Sequence, residues 1–288
     1  MQIPWSWSTT GYSFVGRPHD EVRATCQTAG LAGLEAVAEL LGDGSDAELE
    51  TLAAEYRSAG LSFDTFHLPF GADDDIASFY ETVRRRAADK MKHWIQRAAV
   101  VGVRAAVQHP STTRHSVDVE GLDPYLRQLG RSLETLLPAC EAAGVTLAIE
   151  NMLPAGGGRF CSRPEHFERI TRDFGHPHLG YCLDTGHALV AGGGHEGAAA
   201  FLPAMGERLV AFHLADNAGD RDSHLAPGRG LVDFGPVFRA AVANGFSGNM
   251  CIETPPFAAG PDYSDEAWTE LRRGTESLAT ESLAEGAR

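Results

Sequence analysis

The chain has 288 residues, 43% of them hydrophobic and 22% charged, and a formal net charge of −15 from 39 acidic and 24 basic side chains. That length approaches the ceiling for a single hydrophobic core, and the absence of any long, uncharged apolar run excludes a membrane-spanning helix. The acidic excess, with Lys90 and Lys92 as the only lysines, argues against a nucleic-acid partner, because phosphate binding leans on Lys and Arg.

In chain order the hydrophobic pattern predicts a strand at 3–6, helix 18–29, strand 31–36, helix 46–59, strand 62–67 and helix 76–101. It continues with strand 103–109, helix 123–143, strand 145–151, helix 164–174, strand 179–184 and helix 196–205. Strand 209–213, helix 235–244, strand 249–254 and helix 264–278 complete the series. Helical spacing is clear in Leu126, Leu129, Leu133 and Leu137, which read as core. Ala29-Gly30, Ala59-Gly60, Val101-Gly102, Ala143-Gly144 and Asn244-Gly245 each end a helix just before the next strand. Such alternation implies parallel strands joined by helical crossovers. Eight units without a dividing linker predict an α/β fold, one (β/α)8 TIM barrel over residues 1–288, with a frayed tail from about Thr280. Gly156-Gly157-Gly158 and Gly192-Gly193-Gly194 read as flexible loops.

The five cysteines (Cys26, Cys140, Cys161, Cys182, Cys251) include no Cys-x-x-Cys pair, which argues against a disulfide framework and a thiolate zinc site. The N-terminus lacks the basic head and apolar stretch of a secretory signal, so a cytoplasmic protein is expected.

Active sites of such barrels lie at the carboxyl ends of the strands. Here those ends carry His67, His109, Glu150-Asn151, Asp184-Thr185-Gly186-His187, His213 with Asp216 beyond it, and Glu253-Thr254. Asp222-Ser223-His224 follows the seventh strand. Singly, each is read more readily as a structural hydrogen-bonding residue or a helix cap. Together they are not, since buried Asp, Glu and His are costly unless paired or bound to a metal. Carboxylate oxygen and imidazole nitrogen without thiolate suit Mn²⁺, Mg²⁺, Co²⁺, Fe²⁺ or Zn²⁺. Glu35, near the end of the second strand, either faces this site or begins a loop. Trp5 and Trp7 at the end of the first strand, and Phe66 and Phe70 beside His67, read as packing at the barrel mouth.

Glu150-Asn151, Leu183-Asp184-Thr185-Gly186-His187, His213-Leu214-Ala215-Asp216-Asn217, the block from Asp222 to Gly230, and Ile252-Glu253 resemble the sugar phosphate isomerase/epimerase superfamily, the xylose isomerase-like barrels. The resemblance covers most of the chain and is strongest between Val145 and Thr254. It implies one divalent ion held by Glu150, Asp184, His213 and Glu253, with Glu150 and Glu253 as the acid/base pair. It also implies substrate contacts from His187 and Arg221, within a wall of His67, His109, Asp222 and His224. The sister family of apurinic endonucleases holds three Zn²⁺ through nine ligands. Matching residue types stand here at His67, His109, Glu150, Asp184, His187, His213, Asp222, His224 and Glu253.

The function expected is therefore a metal-dependent isomerase or epimerase of a keto-sugar or related polyhydroxy carbonyl compound. A lyase or dehydratase of a keto-sugar, keto-cyclitol or 3-keto-glycoside is the first alternative, and a trinuclear zinc phosphodiesterase the second. A ligand-binding module without catalysis leaves the strand-end chemistry unexplained. The partner expected is a small sugar-like molecule, with a homo-oligomer left open because barrels of this family often self-associate.

Overall fold

The computed structural model describes residues 3–154, 158–192, 197–255 and 264–286. Eight parallel strands close into a barrel: β1 (Ser6–Thr10), β2 (Gly33–Val37), β3 (Thr65–His67), β4 (Ala105–Gln108), β5 (Thr146–Glu150), β6 (Leu179–Asp184), β7 (Leu209–Leu214) and β8 (Asn249–Ile252). The ring shuts where β1 pairs with β8, in the register Ser6 to Asn249 through Thr9 to Ile252. The α/β class and the single (β/α)8 TIM barrel are as expected.

Long helices fill the crossovers: α1 (His19–Ala29), α3 (Asp46–Ser58), α4 (Glu81–Val100), α6 (Leu122–Ala143), α7 (Pro164–Asp173), α9 (Gly197–Met205), α10 (Phe234–Ala243) and α11 (Asp265–Glu285). Short α2 (Ala38–Leu41) and α5 (Val117–Glu120) and the two-turn α8 (Thr185–Gly192) sit between them. At Gly30 and Gly144, where φ is 72° and 68°, the left-handed backbone turns its N–H back onto the last carbonyls of α1 and α6. No helix among the described residues is long and apolar enough to cross a membrane.

Three expectations shift. The first strand begins at Ser6 and runs to Thr10, so Trp5 and Trp7 lie at its start, at the end of the barrel away from the strand-end carboxylates, where Trp5 stacks on Phe238. Helix α4 starts at Glu81 rather than Ile76, because Asp75 captures the preceding backbone: its carboxylate accepts from Ala77 N–H and from Thr112 N–H and hydroxyl. At the other end of the chain α11 continues to Glu285 with Leu283 buried, through the stretch read as a tail. Gly156, Gly157, Gly193 and Gly194 lie outside the described residues.

Side chains alternate along a strand, so the residue two before each strand-end donor also faces the interior. Ala148 stands below Glu150, Cys182 below Asp184 and Ala211 below His213. These small residues pack with Ala105 and Val107 into a cluster inside the ring. This floor leaves the larger polar side chains above it at the carboxyl end.

Candidate metal centre

Asp184 ends β6 and at once caps α8. Its Oδ1 accepts from His187 N–H at 2.6 Å, which satisfies an orphan donor of the first helical turn and leaves Oδ2 free. Asn151 fixes the same strand end from β5, its Oδ1 accepting from Asp184 N–H (2.7 Å) and its Nδ2 donating to Asp184 C=O (2.8 Å). Thr185 Oγ1 donates to Ala215 C=O and ties the ends of β6 and β7 together.

Around this anchor, donor atoms of Glu150, Asp184, His213 and Glu253 all lie within 4.8 Å of one another. His213 Nδ1 is 3.0 Å from Glu253 Oε2 and 3.4 Å from Glu150 Oε1. Both Glu150 oxygens, Asp184 Oδ2 and His213 Nδ1 are nonetheless buried without a hydrogen-bond partner, because none of these approaches is aligned for one. Unpartnered buried oxygens are expensive, and a cation at their common focus removes the cost. The donor set therefore fits a divalent ion.

The remaining histidines line the same space. His109 Nε2 lies 3.1 Å and His67 Nε2 3.7 Å from Glu150 Oε2. His187 Nε2 lies 3.4 Å and His224 Nε2 2.9 Å from Asp222 Oδ2. Three of the rings are held from behind by backbone: His67 Nδ1–H donates to Leu68 C=O, His187 Nδ1–H to Asn151 C=O and His224 Nδ1–H to Glu253 C=O. Each then presents Nε2 inward. His224 does so from a left-handed backbone, φ 44°, a conformation uncommon outside glycine and found at constrained sites.

Protons balance the charge of the clustered side chains. Burial opposes the imidazolium forms of His187 and His213, but surrounding carboxylates outweigh it and hold both well above the ordinary histidine value. Burial likewise opposes protonation of His224, which Asp222 and Glu253 push up to about 10. Asp184 rises to about 7 through burial, reinforced by Glu253 and Glu150. Burial raises Glu150 and Glu253 as well, yet neighbouring imidazoles keep the first well below its usual range and the second at about 2. His109 falls to about 4, mainly by burial, and is neutral at pH 7.

Nine of the ten residues singled out from the sequence thus meet at one rim. The tenth, Arg221, is exposed beside Asp222 on the loop after β7 and makes no side-chain hydrogen bond or ion pair among the described residues. Asp216 is withheld from the cluster, since its carboxylate accepts from the N–H groups of Asn217, Gly228, Gly230 and Val232 and organises that loop. Glu35 faces the cluster, wholly buried, with Oε2 3.0 Å from His213 Nε2. Tyr12 went unnoticed in the sequence, where nothing marks it. Its ring packs edge-on against His67 at 5.8 Å, and burial beside Glu39, Glu35 and Glu253 keeps its hydroxyl protonated. Phe70 leans on His67 and His109 while remaining 50% exposed, whereas Phe66 is buried against Trp94.

The model of the xylose isomerase-like TIM barrel family matches residues 24–276, and the chain belongs to that family. Among curated relatives it is 26% identical over 231 residues to the uncharacterised protein y4fM of Sinorhizobium fredii, covering 73% of this chain and 72% of that one. It is 31% identical over 121 residues to a probable endonuclease 4 of Solibacter usitatus, 41% of this chain and 40% of the relative. Three other curated relatives are matched over 60 to 62% of their own length. A solved D-tagatose 3-epimerase-like protein superposes with a TM-score of 0.79 at 21% identity, covering 97% of this chain and 99% of that one. D-psicose 3-epimerase of Clostridium cellulolyticum H10, solved with D-tagatose, gives 0.77 at 14% identity, covering 96% and 99%. At these identities the superpositions speak for the fold.

Proposed function

We propose that the chain is a divalent-cation-dependent isomerase or epimerase of a keto-sugar or a related small polyhydroxy carbonyl compound. The observation that carries this reading is the meeting of Glu150, Asp184, His213 and Glu253 donor atoms within 4.8 Å, with oxygens left unpartnered. The names of the solved neighbours, two ketose 3-epimerases or their like, support the substrate class. A bound Mn²⁺, Mg²⁺, Co²⁺, Fe²⁺ or Zn²⁺ would polarise the substrate carbonyl and make the adjacent C–H more acidic.

On this reading Asp184 and His213 chiefly hold the ion. Glu150 and Glu253, delivered by β5 and β8, take the proton from carbon on one face and return one on the other. His187 and Arg221 grip substrate oxygens, and His67, His109, Asp222 and His224 complete the polar wall. The test is incubation of the cation-loaded protein with keto-sugars in D₂O. Label entering the carbon beside the carbonyl, with no other change in mass, is the expected result. An ultraviolet-absorbing enone product would replace this reading with a lyase acting on a keto-sugar, keto-cyclitol or 3-keto-glycoside.

One observation favours a second reading, a trinuclear zinc phosphodiesterase of the apurinic endonuclease kind. His67 and His109 gather at Glu150, and His187 and His224 gather at Asp222, beside the four-donor cluster. This reading requires about three zinc ions per chain and incision of an abasic oligonucleotide. One ion per chain and no incision would dismiss it. The net charge of −15 weighs against it.

A further inference from the structure

His213 is built differently from the three rings backed by peptide carbonyls. It faces the cluster with Nδ1, and its Nε2 points across the barrel interior to Glu35 on β2, 3.0 Å away. Both side chains are fully buried, and Glu35 Oε1 has no hydrogen-bond partner. A carboxylate buried inside a barrel is costly to keep, so its retention there needs a compensating interaction.

We propose that Glu35 is the positioning residue of the cation site: it accepts the Nε2–H of His213, fixes the tautomer that leaves Nδ1 free to bind, and strengthens Nδ1 as a donor. The proposal rests on the four-donor site described above and adds a strand, β2, that supplies no donor to it. The physical basis is the greater polarising power of a carboxyl group over a peptide carbonyl behind a ligating imidazole, for which losses of about 10- to 100-fold in metal affinity are typical when the outer partner is removed. Glu35→Gln is nearly isosteric and puts a neutral acceptor in the same place, like the carbonyls behind His67, His187 and His224. Glu35→Ala removes the partner altogether.

The experiment is titration of ion-free protein with Co²⁺, read by calorimetry and by the visible spectrum of the bound ion, with circular dichroism as the check on folding. Affinity is expected to fall modestly in Glu35→Gln and by about 10- to 100-fold in Glu35→Ala, with the visible bands of both variants displaced from those of the wild type. Folded variants that bind Co²⁺ as the wild type does, with the same spectrum, would overturn the assignment and leave the site intact. A wild type that binds no divalent ion would overturn the site and the assignment together. A second observation needs no variant. In ¹⁵N-histidine wild type loaded with Zn²⁺, His213 should show a metal-bound Nδ1 and a protonated, slowly exchanging Nε2. Zn²⁺ on Nε2, or a second ion per chain that disappears in Cys251→Ala and so occupies the Glu35, His213 and Cys251 group, would sink the proposal.

Discussion

Asn151 and Glu253 separate two kinds of dependence at the scale of single residues. The Asn151 amide spends both its donor and its acceptor on the backbone of Asp184, inside the barrel. Truncation strands a buried N–H and a buried C=O, so Asn151→Ala is expected to lower stability in urea by about 1–3 kcal/mol. It should weaken cation binding at the same time, because Asp184 then loses its fixed direction; equal urea midpoints for variant and wild type would refute this. Glu253→Gln acts elsewhere. On the proposed reading an amide oxygen can still ligate but cannot take a proton, so turnover on the identified substrate should drop by about 10²–10⁴-fold, while elemental analysis still finds the ion. The sequence disclosed Asn151 only as the neighbour of a carboxylate, since its work is done on a strand 33 residues away.

The loop from β7 to α10 hangs on one carboxylate. Asp216 gathers four backbone N–H groups within that loop, and two of them belong to Gly228 and Gly230. Asp216→Ala frees all four. Amide hydrogen exchange should quicken across residues 217–232, and Asp222 should lose its fixed approach to His187 and to His224, with the four-donor cluster retained. Unchanged protection would mean that the loop is held by other contacts. The contrast with Glu35 shows what can be read at this scale. Runs of alternating strand and helix are written in periodicity, so all eight strands were legible, with ends displaced by a few residues. The strand-end donors were legible because their chemistry is wrong for a dry interior. Which acid at a strand end binds a loop and which faces the donor cluster depends on the turn of one peptide, and neither Asp216 nor Glu35 carries that in its neighbours. Arg221 was singled out by resemblance alone, because the path of the loop that exposes it is not encoded in hydrophobic pattern.

For the whole molecule, the ion-free state is governed by protons. His187, His213 and His224 have folded values raised above the unfolded value of about 6.5. Their contribution to stability is full below that value and fades as pH rises through the folded values, with His224 lost near pH 10. The ion-free protein should therefore melt at progressively lower temperature between pH 7 and 10. Saturating cation should restore the melting temperature, by about 2.7 kcal/mol of stability at a hundred times the dissociation constant. Since His213 must shed its proton to ligate, binding should release protons and tighten as pH rises from 6 to 8, measurable by calorimetry in buffers of different ionisation enthalpy. A pH-independent affinity would show that the ring is neutral before the ion arrives.

Strand β1 gives nothing to the rim chemistry, yet it is the seam. Thr9 Oγ1 donates to the carbonyl of Ile252 at 2.8 Å, and the next residue is Glu253. The opening stretch of the chain is thereby buttoned to the backbone just before the last of the rim carboxylates, some 240 residues downstream. Thr9→Val should loosen that button and be felt first as a faster escape of a bound cation.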